Sequence, residues 1–223
     1  MPHPIDPIPK KQTVKHSKPY SWSCISYRND YCELPTAQQS IDNLFKSRRT
    51  HYPAKSLPPM LAMSLIRETC RYRFLSHNMV EKRAKTATVS AGALQTISVM
   101  LLSKQNPPLL YNRETDKCFL LSVLNPKELS RAINVISNAA EGASGDYLLF
   151  VADKAKINSF YDSSNTLIFR DCGALLQNLS LHASALGYAF VPLGPLGQDA
   201  LNAIDDSKDR LMAVGTALIG LQN

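Results

Sequence analysis

Two short apolar runs constrain this chain more than anything else in it. Ile97–Leu102 reads Ile-Ser-Val-Met-Leu-Leu, and residues 147–152 read Tyr-Leu-Leu-Phe-Val-Ala. Runs of this length read as buried strands, and neither approaches the ~18 apolar residues that a membrane span requires. Two strands of that kind need other elements to cover them, and 223 residues suffice for one large domain with a real core. Residues 109–111 and 118–121 read as a hairpin across a polar loop at 112–117. Residues 127–140 carry Leu129, Ile133 and Ile136 at helical spacing. The longest predicted helix covers 169–186, with an apolar stripe from Leu175 to Leu186 and Gly187 as its stop. Late strands follow at 189–193 and 211–218. Upstream, a helix begins near Thr36, places Ile41, Leu44 and Phe45 on one side and runs into Arg48. A second helix covers 60–73, after the breaks at Pro53 and Pro58-Pro59. The order contains no repeat and favours an α+β fold over a regular βαβ alternation.

Charge is distributed unevenly. Residues 1–85 hold 15 Lys/Arg against 6 Asp/Glu, and the rest of the chain holds 10 against 12, giving the formal net charge of +7. The basic part, which includes Lys82, Arg83 and Lys85, reads either as an anion-attracting surface or as a solvated basic face. Residues 1–20 are rich in proline and lysine and read as an extended arm. Tyr20, Trp22, Tyr27 and Tyr31 follow without periodicity, as if to pack on a partner surface. Residues 1–35 are therefore set apart as a basic arm and N-terminal segment, ahead of a domain at 36–223. The N-terminus lacks the apolar centre of a signal peptide. Five scattered cysteines, with no CxxC pair, fit reduced thiols in a cytoplasmic protein and no metal site. Neither GxGxxG nor a phosphate-binding Gly-Lys-Ser/Thr loop is present, which argues against Rossmann dehydrogenases and P-loop enzymes.

Three places could carry chemistry. Arg48-Arg49-Thr50 offers two guanidinium forks and a hydroxyl to a phosphate, or is simply a basic helix end meeting the helix dipole. Ser90, Ala91, Gly92, Ala93, Leu94 and Gln95 stand at the mouth of the first apolar run. Small side chains there let backbone N–H groups approach a flat or anionic ligand, although the same residues also make an ordinary tight turn. Arg170, Asp171, Gln177 and Asn178 lie in the long helix beside its apolar stripe, where they need partners. Tyr161 is the loop phenol best suited to proton transfer. His182 reads as a packed or surface histidine.

Together these pieces resemble the nitroreductase-like flavoprotein superfamily, and within it the azoline dehydrogenase branch, which oxidises thiazoline and oxazoline rings in streptolysin-type and microcin-type peptides. That branch carries Arg-Arg-Ser, then Pro-Ser-Ala-Gly-Ala-Leu before a strand, a Glu-Ala-Gly…Gln-Asn-Leu…Ala…Leu-Gly helix, a Pro-x-Gly segment and a terminal Val-Gly-Arg-Pro. The counterparts here are Arg48-Arg49-Thr50, residues 89–94, Asp171-Cys172-Gly173 with Gln177-Asn178-Leu179, Ala183 and Leu186-Gly187, then Pro192-Leu193-Gly194 and Val214-Gly215-Thr216-Ala217. The match spans residues 46–217. It implies an FMN-binding α+β domain at 36–223, with a central mostly antiparallel sheet flanked by helices and an interlocked homodimer with flavin at the subunit interface. By position, Arg48, Arg49 and Thr50 would hold the phosphate end, Ser90 to Gln95 would line the flavin and Gly194 would offer backbone to its ring. The sequence departs from the branch at three points. Its Lys-Tyr pair is Phe160-Tyr161 here, with Lys154 or Lys156 as the nearest lysines. Its terminal arginine is Thr216, and the arginine two residues after its first motif is Tyr52. Arg83 or Lys85 would be the replacement charge.

The resemblance implies an FMN-dependent oxidoreductase that dehydrogenates azoline rings in a ribosomally made peptide, with Tyr161 removing a proton and synthetase subunits as partners. A nitro or quinone reductase using NAD(P)H, or a catalytically degenerate scaffold of the same fold, are the alternatives. A nucleic-acid role would rest on the basic face alone and is not expected, nor is a membrane one.

Overall fold

The two apolar runs pair with each other at the centre of one sheet. The structure, a computed structural model, describes residues 5–10, 17–37, 39–75 and 84–222. In chain order its elements are β1 (Ile8–Pro9), β2 (Cys24–Arg28), α1 (Ile41–Ser47), α2 (Pro59–Cys70), β3 (Phe74–Leu75) and β4 (Ala84–Lys85). Then come β5 (Ile97–Leu102), β6 (Leu109–Asn112), β7 (Lys117–Leu121), α3 (Pro126–Asn138), β8 (Asp146–Asp153) and α4 (Lys154–Asn158). The chain closes with β9 (Tyr161–Asp162), α5 (Asn165–Ala185), β10 (Tyr188–Leu193), α6 (Gln198–Ile204) and β11 (Leu211–Leu221). Seven strands form the main sheet in the order β10-β11-β8-β5-β6-β7-β2, and every pairing is antiparallel. β1 and β9 pair separately, as do β3 and β4.

Burial on both faces explains why the central strands show no alternation. Successive side chains point to opposite sides of a sheet. Val99, Leu101, Leu148 and Phe150 join a core with Ile66 of α2 and Ile168 and Leu179 of α5. Met100, Leu102, Leu149 and Val151 join a second core with Ile133 and Ile136 of α3 and Leu201 of α6. Antiparallel sheets commonly leave one face to water, but here helices cover both. No helix among the described residues is long and apolar enough to cross a membrane.

The helix predicted from Thr36 starts at Ile41, where Ser40 caps it by accepting the Asn43 N–H at 3.2 Å. The one predicted to reach Arg73 ends at Cys70, and Arg71 is already extended. α5 begins at Asn165, ahead of the predicted 169, and α4 and α6 are too short to announce themselves by periodicity. β2 was not expected either, because it is an edge strand exposed at all five residues. Tyr20 and Trp22, expected against a partner, pack on this chain's own second core.

β11 fixes the entry of the helical N-terminal part. Lys55 bridges to Leu221, and the Ala54 N–H donates to the Leu221 carbonyl at 2.9 Å. A Cβ on Gly220 would lie 2.4 Å from the Lys55 carbonyl oxygen and 2.6 Å from Pro53 Cβ, so only glycine admits the segment that follows Arg48-Arg49-Thr50.

Candidate functional site

Residues 90–95 form a strained, well-held turn at the mouth of β5. A short 3-10 turn, Ala91–Ala93, follows an extended Ser90. Gly92, Ala93 and Gln95 have φ of 57°, 55° and 52°. For Ala and Gln this left-handed region costs about 1–2 kcal/mol each, so surrounding bonds have to impose it. The Ala91 N–H donates to both carboxylate oxygens of Asp171, at 2.9 and 3.1 Å. The Gln95 N–H donates to Ser90 Oγ at 3.0 Å, and the Leu94 N–H to the Ala91 carbonyl at 3.1 Å. Arg113 then gathers three carbonyls, of Gln95 at 2.7 Å, Ile97 at 2.9 Å and Cys70 at 3.2 Å. Asn178 donates to Thr88 Oγ1 at 2.7 Å. Two stretches some eighty residues apart thus meet, and the partners that Asp171 and Asn178 needed lie in and beside the loop. Asp171 is only 7% exposed, and burial pushes its carboxyl above the ordinary range while the Ala91 N–H pulls it back. Arg113 and Thr88 gave no sign in the sequence, since an arginine in a hairpin loop and a threonine in a polar stretch look like surface residues.

The other candidates lie elsewhere on the chain. Arg48 caps the end of α1, its N–H donating to the Leu44 carbonyl at 2.8 Å. Arg49 donates to the carbonyls of Lys46 at 3.0 Å and Arg48 at 2.9 Å, a basic residue closing a helix C-terminus. Thr50 is exposed. These residues reach the sheet through 53–55, at the Leu221 end of β11, whereas residues 90–95 enter beside the opposite end. Nine residues of strand separate the Leu221 and Met212 levels, roughly 30 Å at 3.3 Å per residue. Tyr161 is half-buried in β9, opposite Pro9, and packs against the first core. Gly194 follows β10 on the surface, and a Cβ there would meet nothing within 4 Å. Thr216 is fully buried and donates to the Pro195 carbonyl at 2.6 Å, so that position ties down a loop inside the chain. Lys154 donates to the Lys208 carbonyl at 3.2 Å. Lys85 is exposed at the end of β4, and Arg83 lies outside the described residues.

Geometry limits where a ligand could meet the loop. The cleft bounded by Ser90, Gln95, Arg113 and Asp171 has only about 10 Å³ of free volume, room for one water. A planar ligand has to lie on the loop's outer side, where Val89 is 77% exposed. Large apolar side chains are exposed on the helical side as well: Ile41 at 71% and Phe45 at 61% on α1, and Phe169 on α5. Gly173, one turn beyond Phe169, would meet nothing within 4 Å if it carried a Cβ, so α5 offers a bare strip of backbone. Among the described residues no cluster of His, Cys, Asp and Glu could hold a metal ion.

No protein-family model matches the chain, and no curated protein does. Solved structures match its fold. A protein assigned by name to the nitroreductases, from Ralstonia eutropha JMP134, superposes with a TM-score of 0.63 at 14% identity, over 98% of this chain and 95% of its own. The McbBCD microcin synthetase complex of E. coli, with truncated pro-MccB17 bound, matches at 0.53 and 14% identity, over 89% of this chain and 78% of its own. A nitroreductase by name from Desulfovibrio desulfuricans, in complex with FMN, matches at 0.52 and 13% identity, over 83% of this chain and 87% of its own. The chain therefore has a nitroreductase-like fold, with an antiparallel seven-stranded sheet between two helical layers.

Proposed function

We propose that, on this nitroreductase-like fold, the chain is an FMN-dependent oxidoreductase working as a homodimer, with residues 90–95 as the flavin wall. The meeting of Asp171 with Ala91 carries the reading. It fixes a low, small-residue surface whose strain is maintained from the long helix, and strain of this kind collects at ligand sites. A structural neighbour in complex with FMN supports the choice of cofactor.

The residues fit such a group in parts. Arg48 makes no side-chain hydrogen bond or ion pair within the described chain, so its guanidinium is available to a phosphate, with Thr50 as a further donor. Gly194 leaves its backbone open to close approach. Nothing among the described residues of one chain gathers these groups around a cavity, and the exposed apolar side chains of α1 and α5 suit a second copy that would complete the site. When bound, FMN would supply two-electron hydride chemistry. The protein's share would be orientation by residues 90–95 and removal of a substrate proton by Tyr161, in place of the lysine that Phe160 supplants.

For substrate, we assign azoline rings in a ribosomally made peptide, with synthetase subunits as partners. The fold likeness to a microcin synthetase complex supports it. Reduction of nitro compounds or quinones by NAD(P)H is the second reading, favoured by the nitroreductase of highest TM-score among those described. A catalytically degenerate scaffold is the third, favoured by the buried Thr216. An absorbance spectrum of the purified protein tests the first two against the third. Flavin bands in the near-UV and blue are expected, and a colourless protein that takes up no added FMN would overturn both enzymatic readings. NADPH oxidation with a quinone acceptor, without turnover of an azoline peptide, would decide for the reductase.

A further inference from the structure

A second cavity lies on the other face of the sheet, under the N-terminal segment. Tyr20 and Trp22 roof it, and Thr96, Arg113, Asp153 and Lys156 are among the residues that line it. The roof is built firmly. The Tyr20 hydroxyl donates to Asp205 at 2.7 Å, the two aromatic rings meet edge-on with centroids 4.8 Å apart, and the Arg210 guanidinium sits 5.1 Å from the Tyr20 ring centroid. About 60 Å³ is free inside, several times what one water needs and the size of a molecule of roughly four or five heavy atoms.

Most charged groups of this cavity are spent on one another or on backbone. Asp153 accepts both Nε and Nη2 of Arg210, at 3.0 and 2.7 Å, and caps α4 through the Lys156 N–H at 3.2 Å. Arg113 is committed to the carbonyls of Gln95, Ile97 and Cys70. Glu114 accepts the Tyr72 hydroxyl at 2.6 Å. The Lys156 ammonium has no hydrogen-bond or ion-pair partner among the described residues, and burial pulls it below lysine's ordinary range. The Thr96 hydroxyl is also without a partner there, in a residue only 3% exposed. A buried hydroxyl without a partner is rare and calls for a ligand, a water or an ion, and the half-buried Lys156 ammonium lines the same cavity. Asp153 is matched by Arg210, and the charges of Glu114 and Asp153 favour the Lys156 ammonium through space without bonding to it, so its donors stay free.

We propose that this cavity binds a small monocarboxylate, with Lys156 as its counter-charge and the Thr96 hydroxyl as a second donor. A single carboxylate accepts from both free donors and fits the volume. Of the turn at residues 90–95 only Gln95 borders the cavity, and both proposed donors, Lys156 and Thr96, lie outside that turn.

Trp22 is the only tryptophan in the chain, so its fluorescence reports on the roof directly. Acetate and propanoate titrated into the purified full-length protein should give a saturable change in that emission at constant ionic strength, while acetamide, the neutral isostere of acetate, should give none. Lys156→Gln should lower the acetate affinity at least tenfold, and Thr96→Val several-fold, with the far-UV circular dichroism of each variant unchanged. Should Lys156→Gln fail to fold, Thr96→Val alone decides. No saturable response to either acid, an equal response to acetamide, or an acetate affinity that survives the substitution would each overturn the proposal.

Discussion

Removing the carboxylate that holds the 90–95 turn should loosen the loop and leave the rest of the fold standing. In Asp171→Ala the Ala91 N–H loses its only acceptor, a charged one at 2.9 Å. Hydrogen bonds to charged groups contribute about 1.5–3 kcal/mol. Against this stands the cost of keeping a carboxylate 93% buried, visible as a carboxyl raised above its usual range chiefly by desolvation. Asp171→Asn separates the two effects, since an amide oxygen still accepts from Ala91 while the buried charge disappears. The expected losses are therefore about 1.5–3 kcal/mol for Asp171→Ala and under 1 kcal/mol for Asp171→Asn. The sign of the pH effect follows from the raised carboxyl. The folded state favours the protonated form, so its contribution is greatest below the unfolded carboxylate pKa, about 3.9. It is lost as pH rises through the higher folded value, after which the curve is flat. Wild type should thus lose stability relative to Asp171→Asn as pH rises from about 4 through that region. Urea unfolding of the three proteins between acid and neutral pH measures all of this, and amide exchange at Ala91 locates it. Equal losses for Ala and Asn, or an Asp171→Ala loss below about 0.5 kcal/mol, the size of an ordinary surface change, would refute the reasoning.

Three further outcomes follow from named contacts. Gly220→Ala drives a methyl against the Lys55 carbonyl and Pro53, and should cost about 1–3 kcal/mol by overpacking, read from a lowered urea midpoint. Arg48→Ala should leave stability within about 0.5 kcal/mol yet weaken FMN tenfold or more in a spectral titration, whereas Arg49→Ala, which loses two helix-end carbonyls, should cost a few tenths to 1 kcal/mol of stability. Phe45→Asp, at a side chain 61% exposed in the single chain, should turn a dimer into a monomer by light scattering without unfolding it; an unchanged mass would remove α1 from the interface.

Much of the scaffold was legible locally. Unbroken apolar runs mean strands covered on both faces, and β5 and β8 are such strands. Helical stripes with Gly187 as a stop mark α5, and the polar loop at 112–117 between two apolar runs marks the hairpin, because these signals arise from residues a few positions apart. Short and exposed elements escaped, since β2, α4 and α6 bury too little within themselves to leave a period. The candidate site was legible only as fragments. The motifs at 90–95 and 171–178 could be picked out, and the resemblance supplied their order.

Sequence by itself determined an α+β chain with a covered central sheet, a basic N-terminal part and a small-residue turn at the mouth of β5. Tertiary structure alone decided what those pieces do to each other. Asp171 reaches Ala91 because α5 crosses the sheet beside that turn, and Arg113 locks it from a hairpin that looked like surface. The same packing buries Thr216 inside the chain, carries the segment after Arg48 to the Leu221 end of β11 and leaves the Lys156 ammonium without a hydrogen-bond partner beside Trp22. Hydrogen bonds and charge balance between residues tens of positions apart depend on where the chain returns in space, and no local pattern of residues records that.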